Sequence, residues 1–444
     1  MIFKGTMFST GGFSAQYGQA LSSILELETL GLAEKNQASL SVMSVGVGAS
    51  LSLKTDRFSI TSEGTYTNMS PYYSLSGSDV AWTEMPSTLS NLTTARIKTG
   101  KHGMLKTMIQ ISKNGSGMLY PNLDTSNNDS LSLENANIYV NNSYQTSAGQ
   151  NTIVGISTGF MYDVDELQIG SIALQTNITA FSARLWAKSV VNKTNIRYGI
   201  ETTQKAYTQN YENTQDTLKA TMQFSQPIYA TYLEFENTLA KRIMVRHGYR
   251  YEYSKINNEN TISPRISVAY KINALSQLSF AWGIFRQLQA DDYMKFNNSL
   301  PSSQALQYIV NYQIKKNDRL LRTEVYYKSY AKLIQYTQLN NPNPNLYSST
   351  GSGDAYGIDV FYKDAKTIKN ADFWISYSYI KTQRKYKDYT KFVQPDYVSP
   401  HSVNVVYKHF VPKLKTQFGL SYTYASGKMY NNPNQNEYMS SKLE

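Results

Sequence analysis

A chain of 444 residues without a cysteine can hold neither a disulfide scaffold nor a thiolate-ligated metal. Its four histidines, His102, His247, His401 and His409, lack metal-ligand spacing, and no run of 18 apolar residues predicts a membrane-crossing helix. A net charge of +11 suits attraction to anionic lipid head groups or an anionic solute, or lysines that merely solvate loops and lumen; the bases are dispersed, so nucleic acid is not an expected partner.

Residues 1–35 differ from the rest. They are rich in Gly and Ser and contain one short apolar run, Ile24 to Leu32. From about Ala38 onward strands are expected to follow one another without a helix. Eighteen are predicted, at 38–54, 57–68, 91–100, 103–113, 134–145, 150–163, 177–190, 193–206, 226–238, 241–254, 264–272, 276–288, 305–315, 318–332, 352–364, 369–384, 400–411 and 414–425. Their apolar residues recur with a period of two, which places them on one face of a sheet. In the stretch 261–336, Ile266, Val268 and Tyr270 oppose Arg265, Ser267 and Ala269, and Val325 and Tyr327 oppose Glu324 and Lys328.

Connection lengths alternate. Short turns such as Thr55-Asp56, Val191-Asn192 and Lys316-Asn317 exchange with long polar stretches at 69–90, 114–133, 164–176, 207–225, 289–304, 337–351 and 385–399. This is the pattern of an antiparallel transmembrane β-barrel of the outer membrane, with short turns toward the periplasm and long loops outside. Hydropathy misses such barrels because only every second strand residue meets lipid. The 37 tyrosines suit aromatic girdles. If both termini lie on the periplasmic side, one more upward strand is needed near the start. Ile24 to Leu32 could supply it. So could 38–54, where the apolar phase slips at Met43-Ser44; a β-bulge is the expected reading of that slip and a tight reversal the other.

A charge on the lipid face costs about 2–4 kcal/mol at mid-bilayer for Arg or Lys, so the strand charges are assigned to the lumen. Candidate lumen-lining residues are Arg246, Arg250, Glu252, Arg265, Arg322 and Glu324. They could bind solute, or pair with one another and with a plug. Loop aromatics Tyr72, Tyr73, Trp82 and Tyr347 could stack on a solute or simply pack the loops. His401 beside Ser402 is the single item resembling catalytic machinery, and a bare neighbour pair has no geometric warrant. Without a P-loop or dinucleotide glycine pattern, no catalytic residue, metal or cofactor is expected.

Phe13 to Thr29, FSAQYGQALSSILELET, resembles the end of the plug domain of TonB-dependent outer-membrane receptors. ISPRISVAYKI (262–272) resembles the family's mid-barrel strand, and LRTEVYYKSYAKL (321–333) the strand after it. DAYGIDVFY (354–362), FWISYSYIKT (373–382), Pro400-His401 and YASGKMYNNP (424–433) resemble later ones, in a Bacteroidetes-type flavour. The resemblance implies a 22-stranded barrel enclosing a plug, with import driven by a TonB complex acting on the amino-terminal part. About 18–19 strands are expected here, in a barrel at 36–444 preceded by the tail of the plug at 1–35. The TonB box, most of the plug and the closing strands are not found. Met1-Ile-Phe-Lys-Gly-Thr does not open a signal peptide, and Met439-Ser-Ser-Lys-Leu-Glu444 is no closing strand, so a fragment is expected. The implied function is active uptake of a scarce solute (siderophore, glycan, peptide or vitamin), the implied partners being outer-membrane lipid, lipopolysaccharide and TonB. A passive porin or an adhesin is the alternative, and the plug-like segment speaks against it.

Overall fold

In a computed structural model of the chain, residues 3–121 and 128–429 are described. Two short strands, β1 (Phe3–Ser9) and β2 (Ile24–Thr29), pair with each other in a sheet of their own. The wall follows: β3 (Gln37–Met43), β4 (Gly46–Lys54), β5 (Phe58–Asn68), β6 (Ala81–Thr99), β7 (Gly103–Pro121), β8 (Asn128–Ser147), β9 (Thr152–Ile169), β10 (Ile172–Val191), β11 (Thr194–Asn213) and β12 (Leu218–Ala240). It continues with β13 (Ile243–Ser254), β14 (Glu259–Lys271), β15 (Ser276–Gln287), β16 (Ser303–Lys316), β17 (Arg319–Tyr336), β18 (Tyr347–Asp364), β19 (Ala371–Lys385), β20 (His401–Val411) and β21 (Thr416–Ala425). Each strand pairs antiparallel with the next, and the order returns from β21 to β3 as a closed barrel. That return differs from the other junctions. β3 and β21 meet without the residue-by-residue register seen between consecutive strands, and every residue of both is exposed.

The period of two fixes the two faces. Ile266, Phe280, Val310 and Val325 are all exposed large apolar side chains, while Arg265, Gln307 and Glu324 are buried on the other face. Burying the charges and exposing the apolar rows inverts a soluble core. It is the arrangement that a hydrocarbon surround requires.

The predicted wall holds, with corrections near its start and along one rim. The phase slip within 38–54 is a tight reversal rather than a bulge, because Met43 pairs with Gly46 across Ser44-Val45. This supplies the extra upward strand. Ile24–Thr29 is also a strand, but it pairs with Phe3–Ser9 and not with the wall. Two short helices, α1 (Ser70–Ser76) and α2 (Asp291–Met294), interrupt the run that was expected to be helix-free; both lie in connections. Most of three expected loops is ladder. The stretch 164–176 reduces to a turn at Gly170-Ser171, with Ile169 opposite Ile172. The stretch 207–225 reduces to 214–217, and much of 114–133 continues β7 and β8. β7 to β12 are 18 to 23 residues long, against roughly 9–11 needed to cross the bilayer. Their distal halves therefore stand in water. There no lipid imposes apolar alternation, and a polar ladder reads as loop. The tail beyond Met429 lies outside the described residues.

Candidate functional site in the barrel lumen

The inward faces of β10 to β18 carry a dense set of charges, and residues 9–22 lie across them. Glu201 links two arginines: Arg184 Nη2 approaches it at 2.6 Å and Arg250 Nη2 at 3.2 Å. Arg250 also donates to Glu252 at 2.9 Å. Arg250 is only 1% exposed, so these partners are what make its burial tolerable. Its Nη1 donates to the Gln16 carbonyl at 3.3 Å.

The remaining contacts follow the same logic. The Ala15 N–H donates to Glu234 at 2.9 Å, and Arg197 pairs with the other oxygen of that carboxylate at 3.3 Å. Arg246 donates to the Gly12 carbonyl at 2.8 Å. Arg265 donates to the carbonyls of Phe13 and Ser14. Its guanidinium also lies over the rings of Phe13 and Phe285, 4.9 and 4.5 Å from their centroids. Lys328 donates to the Thr10 carbonyl at 2.8 Å, Gln307 to that of Leu21, and the Thr10 hydroxyl to Glu324. Irregular backbone has no ladder to satisfy it, so its carbonyls need donors from the wall. Gly12 turns with φ of 61°, and Gly18 packs where a Cβ would collide with Arg250 and Glu252.

Of the six lumen residues expected from sequence, Arg246, Arg250, Glu252, Arg265 and Glu324 converge on this segment. Gln19 reaches Glu252 at 3.4 Å. Arg322 is more exposed and approaches Glu324 at 3.3 Å. Beneath Gly11 and Gly12, Arg246, Arg322, Glu324, Ser279 and Asn311 line a cavity of about 400 Å³. Another, of about 530 Å³, lies between β2 and the wall at Arg96, Lys106 and Tyr139, and Lys106 donates to the Thr29 carbonyl of β2 at 3.0 Å. Sequence reasoning did not single out Glu234, Gln307 or Phe285. Their inward parity was available, but nothing in it distinguishes a residue that grips the segment from one that faces water.

The loop aromatics divide. Tyr72 and Tyr73 sit on α1, and Tyr73 packs 5.5 Å from Trp82. Tyr72 stays exposed. Tyr347 is 3% exposed and belongs to a cluster with Met294, Leu300 and Ile334, stacked on Phe296 at 5.4 Å. Lys205 and Asp291 join the 288–302 loop to β11. A second cluster joins the inner segment to the outer loops: Phe13 and Tyr17 pack with Phe285, Tyr330, Tyr386 and Tyr389, the last two from 386–400. His401 meets the Tyr377 hydroxyl at 3.0 Å, stacks on the Tyr377 ring and lies tilted 5.0 Å from that of Tyr379, which is girdle-like packing. No group of three or more potential metal ligands occurs among the described residues.

The sequence model of the family described as TonB dependent receptor-like, beta-barrel matches residues 47–442. The fold is similar to the outer membrane transporter YddB from Escherichia coli, at 11% identity and a TM-score of 0.72, covering 99% of this chain and 75% of that one. It is similar to the alcaligin outer membrane receptor FauA from Bordetella pertussis, at 11% identity and a TM-score of 0.72, covering 96% and 75%. It also resembles the ferric yersiniabactin uptake receptor FyuA from Yersinia pestis, at 9% identity and a TM-score of 0.73, covering 91% and 70%. At these identities the likeness is one of fold. No curated protein matches the sequence.

Proposed function

Because the chain belongs to the family of TonB-dependent receptor-like β-barrels of the outer membrane, we propose that it serves TonB-driven uptake of a scarce small solute, with residues 1–35 as the end of the plug and 36–444 as barrel. The observation that carries this reading is the segment 10–22 held across the lumen by Arg246, Arg250, Arg265, Gln307 and Lys328. A passive porin keeps a water-filled channel, and a segment gripped by this many wall donors works against one.

The cluster shared by Phe13, Tyr17, Tyr386 and Tyr389 gives the reading a mechanism. Solute captured by the outer loops would bias the loop 386–400. That bias reaches the inner segment through packed side chains, and force applied to the amino-terminal part would draw the segment off the wall. The aromatic group of exposed Tyr72 with half-buried Tyr73 and Trp82 is the first candidate for capture, and the cavity lined by Arg246, Arg322 and Glu324 for exit. FyuA is named for a ferric chelate, so an iron chelate is the first solute to try, followed by glycan, peptide and vitamin classes. The test is accumulation of labelled solute by cells expressing the protein, with TonB intact or deleted. Uptake that stops on TonB deletion is the expected result. Equal uptake in both, with steady ion conductance in planar bilayers, would establish the porin reading instead.

A further inference from the structure

The charge of the molecule is not spread evenly between its two rims. One rim consists of the short turns 55–57, 100–102, 148–151, 192–193, 241–242, 272–275, 317–318, 365–370 and 412–415. Every one of them except 148–151 carries a lysine or arginine within the turn or on an adjoining residue. Acids are few there: Asp56, Asp318, Asp364 and Asp372, of which the last two pair with Arg319 and Lys363. At the opposite rim, counted on the same terms, acids match or outnumber bases in 69–80, 214–217, 255–259 and 288–302, and bases lead only at 386–400, where Lys385, Lys387 and Lys391 face Asp388 and Asp396. The net positive charge of the chain is thus concentrated at the short-turn rim.

A second observation concerns what lies beside these cations. Exposed large apolar side chains sit in or next to the same turns. Phe58 follows Arg57, Leu239 precedes Lys241, Ile368 lies between Lys366 and Lys369, and Leu414 lies between Lys413 and Lys415. The turns cover none of these side chains. An apolar side chain next to a cation, repeated around a circumference, matches a membrane interface. The apolar group enters the acyl boundary while the cation stays at phosphate level.

We propose that the short-turn rim is a headgroup-binding collar for anionic phospholipids of the leaflet that surrounds it. A soluble anionic protein or solute would be met by cations gathered at one place, and would gain nothing from Leu239, Ile368 or Leu414. Only a leaflet touches the whole circumference and rewards both kinds of side chain. The collar does not depend on which solute is transported, nor on transport itself.

The test places the full chain in nanodiscs of mixed phosphatidylcholine and phosphatidylglycerol. The lipids that stay bound on transfer to detergent are then counted by native mass spectrometry. Phosphatidylglycerol should be enriched several-fold over its bulk share, and enrichment should fall as salt rises, since exposed charges are screened. The variant K241Q/R242Q/K413Q/K415Q should lose most of the enrichment. The control K219Q/K255Q/K387Q/K391Q, at the other rim, should keep it. Heat-modifiable gel mobility reports folding, and if the quadruple variant does not fold, the pairs K241Q/R242Q and K413Q/K415Q provide the reading separately. Absence of enrichment overturns the proposal, as does equal loss in the rim variant and the control. So does displacement of the lipid by soluble glycerophosphate, which would mean that the turns bind phosphate without a bilayer.

Discussion

Arg265 shows how closely single residues specify the lumen. It donates to two backbone carbonyls of the inner segment and stacks on Phe13 and Phe285. Arg265→Ala takes the wall donor from both carbonyls, the Ser14 carbonyl keeping the Tyr17 N–H at 3.1 Å, a loss of about 1–3 kcal/mol. The expected outcome is faster amide exchange over residues 13–16, by about ten- to a hundredfold, with barrel amides unchanged; equal protection in the variant would mean that Arg265 does not hold the segment. Gly18 is the complementary case. A side chain there must displace Arg250 or Glu252, so Gly18→Val should release the same segment while Gly5→Val, which meets open space, should not. Parity alone assigned Arg250, Glu252 and Arg265 to the lumen, because Tyr249, Tyr251 and Ile266 beside them are apolar. What they grip was not legible. Gln16 lies 234 residues from Arg250, and no local pattern links the two.

At the scale of the strand, lipid enforces the alternation. Val310 and Phe280 pair across β15 and β16 on the outer face, whereas Ser279 faces the lumen cavity. Val310→Arg should lower stability by about 2–4 kcal/mol at this depth, measured by urea unfolding from bilayers. Ser279→Arg should leave it nearly unchanged; similar losses in both would contradict the assignment of faces. The same rule explains the three misread loops. Past the pairs Ile178–Tyr207 and Asn177–Thr208 the ladder of β10 with β11 continues without a break, but beyond the bilayer both faces meet water and neither has to be apolar. Thr, Asn and Gln then pair as well as any residue, and composition alone cannot separate a wet hairpin from a loop. Glycine and turn chemistry was the available sign, at Gly170 with φ of 55°.

For the whole molecule, the question is whether the inner segment moves. The chain has no cysteine, so an introduced pair is clean. A Cβ built on Gly248 would lie 3.0 Å from that of Ala15, slightly inside the roughly 3.5–4.5 Å of a disulfide. A15C/G248C should therefore bridge under oxidation, abolish energised uptake and recover it on reduction. Uptake that persists in the bridged protein would show that solute passes without displacing the segment. The sequence by itself determined which face each strand shows and at which end its turns lie. Lipid acts on every residue separately, so its demand is written locally as a period of two. It also carried the sign of the extra strand, the phase slip at Met43-Ser44, but left Ile24 to Leu32 open as the other source and a bulge as the expected reading; the pairing of Met43 with Gly46 decided for the reversal. Only the tertiary structure decided what fills the lumen. The donors for the carbonyls of Gly12, Ser14 and Leu21 come from Arg246, Arg265 and Gln307, on different strands far along the chain. The ring of strands brings those donors together, and a buried charge accepts whatever partner that ring presents to it.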